Sequence, residues 1–312
     1  MQTALVLLLS IFSIVALGAA LGRTRAFDNA SIVSLDAFVW HVAMPAFMFR
    51  TMASNELPGL EELGLVALYY GTALSVYVAL GVTAGRLFSL QPGERPAIAL
   101  SGCFANGMML GAPIIGGAFG EDALHLLFIL IAFHAPVFVT ASTIWLEMER
   151  GHKVNMGVTL ARSGASLLRQ TPLLGLLLGI LTAALGVTVP RFLDGILEMV
   201  AATMVPLGLF AVGTSLTRID PHGDIPQASL ATLTKLVILP AAVFSVTRLA
   251  GVPHLWSGVA TVMAGLPTGL VAFNFATGNA AAPRRVATAF LLANVLSLAT
   301  LTVWIGWMTR PR

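Results

Sequence analysis

Few side chains in this chain could do chemistry, and most of those stand isolated in apolar runs. Ser101 and Asn106 share one run, Thr268 and Asn274 another. Hydroxyls and carboxamides in such surroundings either line a solvated site or act as hydrogen-bond glue between helices, and both readings stay open. Lys235 lies about ten residues into an apolar run, where a charge costs roughly 2.5–3.5 kcal/mol on insertion scales. Either it offsets a bound anion or exchanges carboxylate partners, or it snorkels or holds a fixed ion pair. Asp36 and His41 are five residues apart, which does not bring them onto one helix face, and either titrates if solvated. His134, just before Pro136, is a further candidate for coupling, with a satisfied bundle histidine as its plainer reading. Arg50 reads as an interface anchor, and Asp194 with Glu198 as carboxylates suited to a helix start. Cys103 is the one cysteine, so it forms no intramolecular disulfide and reads as a small apolar filler.

No catalytic set emerges. The chain has no His-Glu-x-x-His, no phosphate loop and no Gly-x-Ser-x-Gly, and its His and Asp residues are too scattered for a metal. Neither enzymatic activity nor a cofactor is expected.

The segments that must position these residues are long and apolar. Hydrophobic residues make up 57% of the 312, charged residues 10%, and the mean hydropathy is +0.89. Soluble domains carry about 25% charged residues, so this is the composition of an integral membrane protein. Ten apolar runs are bounded by charges, Pro and Gly: 2–22, 30–53, 62–87, 96–119, 122–147, 171–188, 192–216, 226–249, 254–279 and 284–308. The first has Arg23 and Arg25 after it and no basic residue before it, the wrong polarity for a signal peptide, so it is read as a retained span.

Net charge is +3, without the dense basic cluster that nucleic acid would require. Arg23, Arg25, Arg86, Arg95, Arg150, Lys153, Arg162, Arg169, Arg218, Arg284 and Arg285 fall in loops on one side. Only Arg191, Arg248, Arg310 and Arg312 fall on the other. The positive-inside rule therefore puts both termini outside. Residues 148–170 are the one substantial polar stretch, read as an inner linker with an amphipathic helix. They divide the chain into halves, 1–147 and 171–312, of five spans each. An odd number of spans inverts the second half relative to the first.

A repeated motif supports that division. Gly111-Ala112-Pro113 and Gly265-Leu266-Pro267 lie 154 residues apart, in spans four and nine. Proline removes a backbone donor and glycine strips bulk, so both spans are expected to be broken. Pro45 with Phe49 in span two, and Pro206 with Phe210 in span seven, form a second pair. If the broken spans cross, half-helix N-termini bring partial positive charge together near the bilayer centre, an arrangement suited to a carboxylate. Substrate-binding candidates are then Asn106, Gly111, Pro113, Pro267, Thr268 and Asn274. Lys235, Asp36, His41 and His134 are candidates for coupling or charge compensation.

The run Asn106-Gly107-Met108-Met109-Leu110-Gly111-Ala112-Pro113, ending at Phe119-Gly120, resembles the Asn-Gly…Gly-x-Pro signature of the auxin efflux carrier family. Pro206 to Leu216 resembles that family's span-seven motif, Lys235 to Pro240 its span-eight motif, and Gly265-Leu266-Pro267 its second crossover. The resemblance covers essentially the whole chain. It implies a ten-helix inverted-repeat fold akin to bile-acid symporters, with a scaffold part and a transport part. It also implies elevator-like movement of small organic anions and allows a homodimer. The long central loop of plant members is missing, which places the chain nearer short bacterial relatives that include malonate and other dicarboxylate carriers. Auxin is not carried over as a substrate.

The expectation is an all-α integral membrane protein of the inner membrane, with broken helices four and nine, that moves mono- or dicarboxylates. No sodium cage is recognisable, which favours uniport or proton coupling. The alternatives are a membrane ligand sensor or channel-like protein on the same fold, and, far behind, an intramembrane enzyme.

Overall fold

The computed structural model describes residues 2–55, 57, 59–151, 157, 165, 170–219 and 224–309. Within them the chain is helical, with no strand and one isolated backbone bridge. The helices are α1 (Gln2–Leu21), α2 (Asn29–Ala53), α3 (Leu60–Leu87), α4 (Glu94–Ser101), α5 (Gly107–Phe119) and α6 (Asp122–Glu149). They continue with α7 (Thr171–Ala184), α8 (Arg191–Leu216), α9 (Ile225–Leu249), α10 (His254–Gly265), α11 (Leu270–Gly278) and α12 (Pro283–Met308). Seven of these, α1, α2, α3, α6, α8, α9 and α12, are long and apolar enough to cross a membrane. The apolar runs 96–119 and 254–279 each form two helices, α4 with α5 and α10 with α11. Most of the expected inner linker, including Lys153, Arg162 and Arg169, lies outside the described residues.

Prolines explain the irregular turns. The helix widens to a π turn at Val39–Ala43 before Pro45, at Gly107–Gly111 before Pro113, and at Thr234–Ile238 before Pro240. A proline ring collides with the carbonyl four residues back and offers no N–H, and a wide turn absorbs both defects. Carbonyls released this way recruit other helices. Trp304 Nε1 donates to the Leu236 carbonyl at 3.0 Å, and Thr171 Oγ1 to that of Trp40 at 3.0 Å. Pro113 therefore widens α5 instead of interrupting it. The interruption comes earlier, between Ser101 and Gly107, so the two Gly-x-Pro motifs are not equivalent positions as the sequence suggested. Only Gly265-Leu266-Pro267 stands at a break.

Packing separates two groups of helices: α1, α2, α7 and α8 in one, and α3 to α6 with α9 to α12 in the other. They meet where α1 touches α5 and α12, where α8 touches α5, and where α2 touches α6. In the first group, backbones come into direct contact at glycines. A β-carbon on Gly213 would stand 2.0 Å from the Val15 carbonyl oxygen, and one on Gly18 2.2 Å from that of Phe210. Across α2 and α7, one on Gly179 would stand 2.6 Å from the Phe49 carbonyl oxygen. Such close approach is how membrane helices gain dispersion energy where lipid removes the hydrophobic drive.

The second group is tied at one end by charge. Arg285 Nη1 sits 2.6 Å from Glu94 Oε2, and its Nε 2.8 Å from Asp224 Oδ2. Glu149 accepts the Gly93 amide at 2.6 Å and lies 3.7 Å from Arg95. These contacts link the starts of α4, α9 and α12 to the end of α6.

Candidate functional site: the paired helix breaks

After Ser101 and after Gly265 the chain leaves its helix, and the two irregular segments meet as a short antiparallel pair. Ala105 and Thr268 bridge. The Asn106 amide donates to the Pro267 carbonyl at 2.9 Å, and the Gly269 amide to the Phe104 carbonyl at 3.0 Å. Each break thus supplies partners for backbone groups that the other leaves unpaired, the condition for irregular backbone inside a membrane. Glycine suits position 269, because a β-carbon there would crowd the Ala105 carbonyl oxygen and the Phe104 ring, both at 3.0 Å.

Buried side chains clasp the crossing. The Thr268 hydroxyl, fully buried, donates to the Ser101 carbonyl at 2.7 Å. The Asn294 carboxamide donates to the Phe290 carbonyl at 2.8 Å and reaches the Thr268 carbonyl at 3.4 Å. His134 Nε2 accepts the Ala105 amide at 2.8 Å. Its Nδ1 lies 3.1 Å from the Tyr70 hydroxyl, which itself donates to the Leu130 carbonyl at 2.6 Å. With the Tyr70 proton committed to Leu130, the imidazole proton belongs on Nδ1, facing the Tyr70 oxygen. His134 is a neutral ring with both nitrogens bonded, packed on Phe104 with ring centroids 4.5 Å apart. That is the satisfied bundle histidine among the two sequence readings.

From the crossing, α5 and α11 begin side by side. The Asn106 carbonyl takes the Leu110 and Gly111 amides, and the Gly269 carbonyl takes that of Ala272. Amides before those have no acceptor within their own helix, and no side chain caps either start. Two sets of partial positive charge therefore converge. Asn106, half-buried, presents a carboxamide with no hydrogen-bond partner among the described residues.

Lys235 is fully buried in the wide turn of α9, and its Nζ donates to the Ala264 carbonyl in the last turn of α10. It neither snorkels nor pairs with a carboxylate among the described residues.

Of the residues expected at a site, Asn106, Pro267, Thr268, His134 and Lys235 gather here, and a β-carbon on Gly111 would stand 2.8 Å from Leu266 Cδ1. Thr268 is a clasp whose hydroxyl is already used. Pro113 is half-buried further along α5, and Asn274 is exposed on α11. Asp36 and His41 lie on α2 and bond no crossing residue. His41 Nδ1 is 2.9 Å from Thr171 Oγ1, and the charge acting on Asp36 is Arg218. Tyr70 and Asn294 were not singled out in the sequence, although a lone Asn midway along an apolar run is such a signal. A cleft of about 610 Å³ lies elsewhere, between the ends of α2 and α7 and the start of α8. Its cation, Arg50, is already held by Asp194 at 2.8 and 3.2 Å, with Glu198 at 3.5 Å, so the cleft offers an anion little. Among the described residues no group of three His, Cys, Asp or Glu side chains could hold a metal.

A family model described as "Membrane transport protein" matches residues 3–305. A "Putative malonate transporter" of Rhizobium meliloti is 22% identical over 298 residues, 95% of this chain and 93% of the relative. An "Uncharacterized transporter" of Methanocaldococcus jannaschii is 22% identical over 282 residues, 88% of each chain. Another, of Methanothermobacter thermautotrophicus, is 22% identical over 305 residues, 95% of each.

Proposed function

Because the chain belongs to the membrane transport protein family, that of the auxin efflux carriers, we propose that it is a secondary carrier of small organic anions, mono- or dicarboxylates, bound where the two helix breaks cross. Its family and relatives are multi-pass transporters and not enzymes. The observation that carries the anion reading is the convergence of two uncapped helix starts, α5 and α11, beside the Asn106 carboxamide, which has no partner among the described residues. Backbone amides at such starts hold carboxylates without a full positive charge. The relative named for malonate supports a dicarboxylate among the candidates.

The fold proposed for this carrier has ten spans in two inverted halves, 1–147 and 171–312. Two regularities support it. Gly18 lies on Phe210 and Gly179 on Phe49, the glycines 161 residues apart and the phenylalanines likewise. The bridged residues, Ala105 and Thr268, are each followed by a residue whose amide crosses to the other break and then by a new helix. The group α1, α2, α7 and α8 then serves as scaffold, and the other group moves past it in an elevator-like step. Both termini face outward from the inner membrane, and a homodimer built on the scaffold is compatible with this arrangement. Direction follows from charge: an inside-negative potential drives an anion outward by about 2.3 kcal/mol per charge per 100 mV. Export then needs no coupling ion, and uptake needs protons or another cation.

Uptake of labelled mono- and dicarboxylates into proteoliposomes, under a potassium diffusion potential of either sign, tests the reading. Saturable flux that follows the potential and shows counterflow is expected. Asn106→Ala should lower that flux about tenfold or more, since one lost hydrogen bond to a charged group is worth roughly 1.5–3 kcal/mol. Its unfolding midpoint should not change, because the carboxamide has no partner to lose among the described residues. Ligand binding without counterflow would identify a sensor instead.

A further inference from the structure

The cleft where α2 and α7 end and α8 starts suits no lone anion, and the same charges define what does fit. Its volume of about 610 Å³ falls within the roughly 300–1,000 Å³ of ligand pockets. Arg50 lines it, held by Asp194 at 2.8 and 3.2 Å, with Glu198 at 3.5 Å. Two carboxylates thus meet one guanidinium, and both stay accessible, their side chains 45% and 65% exposed. Arg191, two residues past the lining residue Val189, is exposed and forms no ion pair among the described residues. Donors are left over as well. Arg50 commits Nε and Nη2 to Asp194 and keeps Nη1. The hydroxyls of Ser54 and Thr188, exposed in the lining, have no protein partner among the described residues. Both signs therefore stand side by side: carboxylates open to an ammonium, and a guanidinium nitrogen with two hydroxyls open to a phosphate.

Away from the cleft, the surface of α7 is apolar. Leu174, Leu178, Leu181 and Leu185 follow one face of the helix at the spacing of successive turns, and all are exposed. From first to last they rise about 16 Å, half of a hydrocarbon core about 30 Å thick. The stripe ends beside Thr182 and Ala183, which line the cleft. An apolar track one leaflet deep, leading to a site with both charges, has the layout of a zwitterionic lipid. We infer that the cleft binds the headgroup of a phospholipid with a primary amine, phosphatidylethanolamine, whose acyl chain lies along α7. The ammonium bonds Asp194 and Glu198, and the phosphate takes Arg50 Nη1 and the Ser54 and Thr188 hydroxyls. The lipid brings its own cation to the carboxylates, so it need not take Arg50 from them. This site lies away from the helix crossing and does not depend on what the chain carries.

Headgroup chemistry gives the test its contrast. Choline has no N–H to donate, and phosphatidylglycerol has no cation at all. The experiment measures the thermal unfolding midpoint of the purified, delipidated full chain in detergent. Phosphatidylethanolamine, phosphatidylcholine or phosphatidylglycerol with identical acyl chains is then added. Phosphatidylethanolamine should raise the midpoint by about 3 °C or more at saturation, and each of the others clearly less. Native mass spectrometry from an equal mixture of the three should show phosphatidylethanolamine retained in preference. Ser54→Ala combined with Thr188→Val removes two phosphate donors and leaves the Arg50–Asp194 pair intact. Its midpoint without lipid should match the wild type, and the gain from phosphatidylethanolamine should be lost. Glu198→Gln should cut the preference for ethanolamine over choline about tenfold, the worth of one hydrogen bond to a charged group.

Equal gains from the three lipids, or the largest from phosphatidylglycerol, would overturn the inference. So would a gain from phosphatidylethanolamine that survives in the double variant. Free phosphoethanolamine that stabilises as well as the lipid would make this a site for a soluble zwitterion and overturn the lipid assignment. A midpoint that rises with protein concentration and ignores lipid would put a second copy of the chain on the cleft, with the same consequence. If the double variant does not fold, the ranking of the three lipids on the wild type decides alone.

Discussion

Gly213→Val should yield almost no folded protein, whereas Gly71→Ala should fold as well as the wild type or slightly better. Both are glycines in long apolar helices, and propensity treats them alike. A β-carbon on Gly71 meets nothing within 4 Å, so alanine there only restrains the unfolded chain, a gain of at most about 1 kcal/mol. On Gly213 it would lie 2.0 Å from the Val15 carbonyl oxygen and 2.8 Å from the Ala19 nitrogen. Those atoms are backbone and cannot rotate away, so α1 must move off α8. Overpacking usually costs about 1–3 kcal/mol, and a clash with main chain belongs at or beyond the upper end. Size-exclusion profiles and unfolding midpoints of the two variants check the contrast. A Gly213→Val protein with a wild-type midpoint would mean that α1 is not seated on α8 as described.

The second large effect is expected at His134. Leucine fills most of the ring's volume but accepts no hydrogen bond, so the Ala105 amide would be buried without a partner, at about 1–3 kcal/mol. Flux and unfolding midpoint should fall together in His134→Leu, and amide exchange at Ala105 should speed up. His134→Gln, whose carbonyl oxygen can take the same amide, should recover a large part of both. Because neither ring nitrogen is free, the dependence of flux on pH should be the same in His134→Gln as in the wild type. A changed profile would make the imidazole a proton carrier instead of a clasp.

Much of the fold was legible because bilayer-length apolar runs admit few structures. The run 254–279 was rightly expected to break at Gly265-Leu266-Pro267, where glycine and proline sit at the interruption itself. The first break was misplaced. Proline at 113 advertised it, but a π turn absorbs a proline, while Gly102 to Asn106 leave the helix for reasons lying far along the chain. Pairing with Pro267 and Gly269, and a hydrogen bond from the Ala105 amide to His134, are long-range contacts that no local pattern records. Asn106 was found because a carboxamide in an apolar run is conspicuous. Asp36 and His41 were equally conspicuous and lie away from the crossing, since polarity marks a residue as unusual without saying which helix it faces. The partner of Lys235 is a backbone carbonyl, which every residue has, so composition could not have named it.

The backbone pairing between the breaks also orders events during synthesis. The Phe104 carbonyl and the Asn106 amide find their partners in Gly269 and Pro267, made more than 150 residues later. Until then the first half holds three main-chain groups open, the Ser101 carbonyl waiting for the Thr268 hydroxyl as well, with His134 and its aromatic neighbours packed beside them. The N-terminal half is thus a template held in waiting. A nascent chain halted before residue 266 has every helix of that half and still lacks the segment that closes it.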